Sequence, residues 1–124
     1  TAEDLAAGKH FPVMDGRMVF TRAVEGMVQA ANEVLTKAGK TLADVDLIVP
    51  HQANLRISES VRKKLGVEPE RVFNNITTRG NTTAASIPLA LCEAREAGRV
   101  KRGDLVMFLA FGSGFTWGGA LLRY

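Results

Sequence analysis

Two polar residues of the sequence, His51 and Asn81, could carry chemistry. His51 directly follows the apolar run 47–50, and the carboxyl end of such a strand faces a crevice in α/β sheets. Asn81 comes thirty residues later, beside Gly80 and just before a predicted helix. A ring N–H and a side-chain amide can both donate to an oxygen that gains negative charge. Each residue also has an ordinary structural explanation, because local backbone can satisfy His51 and Asn81 can cap the helix.

Two further features of the sequence could carry a function. Gly112-Ser113-Gly114 separates two apolar strands, so its glycines either shape a tight hairpin or leave a backbone N–H aimed at an oxyanion. It lacks the Gly-Lys-Ser/Thr ending of a phosphate-binding loop, which excludes nucleotide binding of that kind. Arg56 and Lys63 lie about two helical turns apart, with Lys64 beside them. This basic face is either a solvated surface or a site for an acidic partner.

Composition limits the classes of protein that remain. The 124 residues suit one domain spanning 1–124, and 46% hydrophobic with 23% charged residues is typical of a soluble globular protein. The net charge of +3 comes without a basic stripe or aromatic platforms, which argues against nucleic acid. The single Cys92 excludes a disulfide framework and a cysteine-rich metal site. We expect Cys92 to pack in the core and His10 to lie on the surface.

The apolar runs and the first residue bear on the cellular location of the protein and on whether the chain is a fragment. No run reaches the roughly 20 residues of a membrane-spanning helix, and the start at Thr1 has no secretory signal pattern. We therefore expect a cytoplasmic protein without a membrane anchor. The absence of an initiator Met indicates a fragment or a trimmed chain.

The apolar pattern predicts the order β-α-β-α-(β)-α-β-β, a mixed sheet with helices packed on it. From Phe20 to Ala38 apolar residues recur every three or four positions, typical of a helix with one buried face, and Gly39 ends it. The continuous apolar run 104–111 predicts a central strand. The other predicted elements are a strand at 11–16, a strand at 47–50 after a Thr41-x-x-Asp44 capping pattern, a helix with Ile57, Val61 and Leu65 on its inner face, a brief extended piece at 71–73, a helical region at 82–97 disturbed by Pro88, and an antiparallel strand at 115–124.

Three blocks of sequence together resemble the β-ketoacyl-acyl-carrier-protein synthase III family. They are Val49–Ile57 (VPHQANLRI), Gly80–Pro88 (GNTTAASIP) and Phe111–Gly118 (FGSGFTWG), in the family's order and spacing. The resemblance covers nearly the whole chain and favours the functional interpretation of His51 and Asn81. It implies the C-terminal half of a thiolase-like α/β fold, a five-stranded mixed sheet packed with helices, with the active site between two similar halves.

The resemblance also implies a reaction. In this family a cysteine of the first half is acylated by acyl-coenzyme A, and malonyl-acyl-carrier protein then loses carbon dioxide and attacks the acyl-thioester. His51 and Asn81 would stabilise the charge that decarboxylation leaves on the thioester oxygen. The backbone N–H of Ser113, a position where many relatives have glycine, would serve an oxyanion hole, and Phe111 would line the acyl pocket. Arg56, Lys63 and Lys64 would bind the acidic carrier protein. No cofactor or metal is implied beyond the two substrates.

The main departure from the family is the nucleophile. Cys92 does not stand in the family's nucleophile context, so we expect this chain alone to be inactive and the complete protein to be an acyltransferase of fatty acid synthesis. The implied partners are the N-terminal half, the acyl carrier protein and a second copy in a homodimer. Two alternatives stay open: a related condensing enzyme of polyketide or quinolone type, and a non-catalytic half that only pairs with a partner.

Overall fold

The computed structural model describes residues 1–11 and 13–124. In this described part of the chain, no helix is long and apolar enough to cross a membrane. Short 3₁₀ turns at Leu42–Asp44, Pro69–Arg71 and Thr83–Ala85 connect the regular elements. The helices are α1 (Ala2–Ala6), α2 (Gly16–Ala38), α3 (Leu55–Leu65), α4 (Ile76–Arg79) and α5 (Ser86–Glu96), and the strands are β1 (Leu47–Pro50), β2 (Leu105–Gly112) and β3 (Thr116–Arg123).

The strands form one mixed sheet in the order β1-β2-β3. β1 runs parallel to β2, and β3 returns antiparallel to β2, so the predicted hairpin is confirmed. The expectation of five strands is wrong, since the described residues form a three-stranded sheet. The predicted extended piece at 71–73 contributes one bridge between Val72 and Ile48 and does not add a strand.

The predicted strand at 11–16 is also wrong. Pro12 lies outside the described residues, and residues 13–15 have no regular structure. Gly16 instead begins α2, because the Asp15 carboxylate accepts the backbone N–H groups of Arg17 and Met18, each at 3.0 Å. Such a cap satisfies donors that the first helical turn cannot pair internally, and it starts the helix earlier than the apolar period indicates.

The sheet separates two apolar layers. On one face, α2 packs against β2 and α3 packs against α2, and Met27, Ala31 and Val61 belong to one apolar cluster with Met107 and Leu109. On the other face, Ala90 and Ala94 of α5 pack against β1 and β2. The central position predicted for β2 is thereby confirmed, because helices cover both of its faces.

Helix α5 begins where the helical region was uncertain. Pro88 falls in its first turn, where a missing N–H costs no hydrogen bond, and Gly98 follows its end with φ +67°. Ala90 and Ala94 point inwards, so residue 92 projects from the opposite face. Cys92 is therefore exposed, and the expectation that it packs in the core is wrong. His10 is exposed, as expected.

Candidate active site

A groove of about 1450 Å³ opens at the carboxyl ends of β1 and β2. Its walls come from the beginnings of α2 and α3, from residues 81–87 and from the hairpin between β2 and β3. Five of the seven residues singled out from the sequence line this one groove; Lys63 and Lys64 do not. The five are His51, Arg56, Asn81, Phe111 and Ser113.

His51 extends the ladder of β1 by one residue. Its backbone N–H donates to the carbonyl of Leu109 on β2 at 2.7 Å, which fixes the start of the side chain relative to the sheet. The ring is half-buried, and its Nδ1 lies 2.6 Å from the Ser86 hydroxyl. Burial lowers the pKa of His51 below its ordinary value, because a charged imidazolium loses hydration there. The neutral ring is therefore the prevalent form at pH 7.

Asn81 is anchored by its side-chain oxygen. Its Oδ1 accepts the backbone N–H of Thr83 at 2.9 Å, and since an N–H can only donate, this contact directs the amide NH₂ away from the turn. Thr83 has φ +51°, the left-handed region that non-glycine residues seldom adopt. Asn81 thus closes a tight turn rather than capping α5, whose N-cap is Ala85. The structural role and a donor role are compatible because they use different atoms of the amide.

The hairpin loop presents Ser113 to the groove. Gly112 pairs with Thr116, so Ser113, Gly114 and Phe115 form the loop. Among the described residues, Thr83 is the one non-glycine with positive φ, so serine fits at position 113 without backbone strain. Gly114 is the position that needs glycine, with φ +141° and Thr116 in close contact. Beside the loop, the ring of Phe111 lies 5.2 Å from that of Phe115, centroid to centroid.

A buried polar network behind His51 was missed by sequence reasoning. Gln52 is 2% exposed, and its Oε1 accepts the backbone N–H groups of Asn75 and Ile76 at 3.0 and 3.1 Å. Its Nε2 donates to the carbonyl of Pro50 at 2.8 Å. Gln52 therefore ties the end of β1 to the start of α4, the helix that leads to Gly80 and Asn81. The available signal was the position of Gln52, a polar residue directly after His51 at the end of a predicted buried strand.

Arg56, Lys63 and Lys64, the basic residues of α3 singled out from the sequence, are exposed. Seven residues of helix turn through about 700°, so Arg56 and Lys63 project within roughly 20° of each other. Lys64 points farther round. The Arg56 guanidinium lies 5.9 Å from the centre of the Phe20 ring at the groove, which holds its charge at the rim.

The comparisons with known proteins decide the family. The family model described as 3-oxoacyl-[acyl-carrier-protein] synthase III C terminal matches residues 35–124. The chain belongs to this family. Beta-ketoacyl-[acyl-carrier-protein] synthase III of Nitratidesulfovibrio vulgaris (strain DP4) is 52% identical over 98% of this chain and 37% of that relative. The resemblance stated from the three sequence blocks is thereby confirmed.

Solved structures of the same family have the same fold. The synthase III from Thermus thermophilus matches with a TM-score of 0.88 and 51% identity, over 90% of this chain and 35% of that one. The 3-oxoacyl-[acyl-carrier-protein] synthase III from Aquifex aeolicus VF5 matches with a TM-score of 0.88 and 52% identity, over 90% and 36%. The thiolase-like α/β class is confirmed, and the chain spans about a third of the length of these family members.

Proposed function

We propose that this chain is the C-terminal part of an enzyme that condenses acyl-coenzyme A with malonyl-acyl-carrier protein to a 3-oxoacyl-carrier protein. Family membership supports the reaction class. The observation that carries the proposal is that His51 and Asn81 line one groove and that a hydrogen bond anchors each side chain, between His51 Nδ1 and the Ser86 hydroxyl and between Asn81 Oδ1 and the Thr83 N–H. Their remaining N–H groups are the donors that a thioester oxygen requires.

The chemistry proceeds in two stages. A cysteine thiolate first attacks the acyl-coenzyme A carbonyl, and the coenzyme A thiolate leaves. The C–C bond to the malonyl carboxylate then breaks, carbon dioxide departs, and the electron pair passes to the thioester oxygen as an enolate. His51 and Asn81 stabilise that charge, and the enolate carbon attacks the acyl-cysteine. The tetrahedral oxyanion, held by the Ser113 N–H, collapses and releases the cysteine thiolate. Phe111 lines the acyl chain's path.

The nucleophile belongs to another part of the complete protein. Cys92 is exposed on α5 and is absent from the described lining of the groove. Apolar side chains are exposed at the groove's open side, among them Val13 at 97% and Met14 at 74%. We assign this rim to contact with the N-terminal half. Exposed apolar surface of this kind favours association.

The remaining partners follow from charge and from the family. The acidic acyl carrier protein docks on Arg56, Lys63 and Lys64, and the complete enzyme is a homodimer. Dependence on the carrier protein separates this reaction from condensation onto other acceptors. The cytoplasmic location and the lack of a cofactor stay predictions.

The test replaces His51 or Asn81 with alanine in the complete protein. Loss of one donor should slow malonyl decarboxylation roughly 100-fold, measured as carbon dioxide release, while acylation of the cysteine persists. His10→Ala is the matched control, since His10 is the other histidine of this chain and lies outside the groove. Unchanged decarboxylation in both site variants would contradict the proposal.

The isolated chain supplies a second test. It should give no condensation product, because the groove lacks both its nucleophile and its opposite wall. Adding the separately produced N-terminal half should restore product. Condensation by the chain alone, measured free of contaminating synthase, would show that the nucleophile lies within these residues.

A further inference from the structure

The hydroxyl of Ser86 occupies a position with few hydrogen-bonding choices. Ser86 is 1% exposed and opens α5, so its hydroxyl is shielded from water. In the part of the chain that the structure describes, its oxygen has two partners: the backbone N–H of Gln52 at 3.3 Å and Nδ1 of His51 at 2.6 Å. These two partners follow each other directly in the sequence at the end of β1.

The roles of donor and acceptor follow from elimination. The Gln52 N–H can only donate, so it occupies one lone pair of the Ser86 oxygen. The hydroxyl proton then needs an acceptor, and the unprotonated Nδ1 of His51 is the one in contact. If Nδ1 carried the proton, two donors would face the same oxygen and the buried hydroxyl proton would lack a partner, which proteins avoid.

We infer that Ser86 is a positioning residue that holds His51 in the neutral tautomer whose proton is on Nε2. The inference rests on the proposed function, since it explains why the ring meets substrate as a donor. With Nδ1 accepting from Ser86, Nε2–H is the ring's other polar group and is available to the groove that His51 lines. The opposite tautomer would offer a lone pair to the thioester oxygen and repel the charge that decarboxylation creates there.

This arrangement couples both donors to one short segment. Thr83 anchors Asn81 and Ser86 anchors His51, and the two anchors are three residues apart across the turn Thr83–Ala85. Movement of this segment would therefore displace the two donors together. Burial that lowers the pKa of His51 acts in the same direction, because it favours the neutral ring that the serine selects.

The tautomer can be read without an activity measurement. In the complete protein labelled with ¹⁵N-histidine, two-bond proton–nitrogen correlations distinguish a protonated ring nitrogen from an unprotonated one, and loss of the signal in His51→Ala assigns it. The wild-type spectrum at neutral pH should show His51 protonated on Nε2 alone. A wild-type ring protonated on Nδ1 would overturn the inference, whatever the activity of any variant.

Substitution of Ser86 tests the consequence. Ser86→Ala should give a mixture of tautomers and lower the kcat of decarboxylation roughly 10-fold, with KM for the malonyl-carrier protein and cysteine acylation unchanged. Ser86→Thr, which keeps a hydroxyl, should restore the Nε2–H form. Ser58→Ala is the matched control, because Ser58 is also buried but bonds to Asn74 and not to His51. An unchanged tautomer in Ser86→Ala would refute the role of Ser86, whereas full decarboxylation in His51→Ala would refute the proposed function instead.

Discussion

β1 and β3 belong to the same sheet but to opposite environments. Every residue of β1 is buried, whereas no residue of β3 is. Behind the end of β1 lie the buried side chains of Gln52 and Ser86, while the hairpin before β3 borders an open groove. His51 is thus held from behind by buried side chains, whereas the groove in front of it is open. The buried end of β1 is therefore fixed by the core, whereas the groove beside the hairpin is not enclosed.

The largest loss of stability should come from a substitution at the buried end of β1. Gln52→Ala removes the acceptor of one buried and one partly buried backbone N–H group, and the free energy of unfolding should fall by about 3 kcal/mol because both donors lose their partner. Urea denaturation of the complete protein measures it. Gln29→Ala, which breaks an exposed bond to Glu33 on α2, should cost less than about 0.5 kcal/mol. Equal losses in the two variants would remove the distinction between the regions.

A second variant tests how tightly β3 packs against α2. A Cβ at Gly26 of α2 would lie 2.9 Å from the ring of Trp117 on β3. Gly26→Ala should therefore lower the free energy of unfolding by about 1–2 kcal/mol, despite the better helix propensity of alanine. Gly16→Ala, at the exposed start of the same helix with nothing within 4 Å, should not destabilise. A stabilised Gly26→Ala would mean that β3 packs loosely.

Charge reversal on the basic face of α3 should weaken binding of the carrier protein and leave the rate of the chemical step unchanged. Arg56→Glu should weaken acyl-carrier-protein binding about 10-fold at low salt, with the difference shrinking as salt screens the charges. Isothermal titration at two ionic strengths measures both effects. Arg102→Glu makes the same charge change on the exposed loop before β2 and should leave the affinity unchanged. Equal affinity of Arg56→Glu and the unaltered protein at low salt would identify the patch as plain solvated surface.

The smallest expected effect concerns Glu93, at the edge of the buried network. Hydrogen bonds from the Asn75 amide and then the Arg79 guanidinium lower the pKa of the Glu93 carboxyl below its ordinary value near 4.5. The folded state therefore binds this proton less readily than the unfolded state, so the contribution to stability is present above pH 4.5 and declines as pH falls through the lowered pKa. Glu93→Gln should show a shallower acid decline in thermal unfolding. An identical decline would exclude Glu93 as its source.

The sequence predicted those helices and strands that are determined by residues close together in the chain. The apolar period and the glycine stops located α2 and α3, and the unbroken run 104–111 located β2. Helix α4 escaped prediction because four residues carry no period, and a side chain more than twenty positions away accepts its first N–H groups. Cys92 was misplaced because the phase of α5 depends on which alanines meet the sheet.

The candidate site also contains residues that the sequence identified and residues that it did not. His51, Asn81 and Ser113 stand in blocks that resemble the family, so the sequence identified them before their common groove was visible. Ser86 belongs to one of those blocks, yet nothing in the order of residues indicates that it contacts a ring 35 positions away. Partners of this kind depend on how α5 packs against β1, which is a tertiary property.

The hydrogen bond from the His51 N–H to the Leu109 carbonyl fixes the position of His51 along β2, and this restricts where the chain can change in length during evolution. From Leu109 the chain runs without interruption to Ser113, so each residue inserted there would carry the loop about 3.3 Å past the histidine. Insertions in the exposed connection 101–103 would leave that spacing untouched. Lineages of this protein should therefore vary in length at the connection and keep a constant count between Leu109 and Ser113.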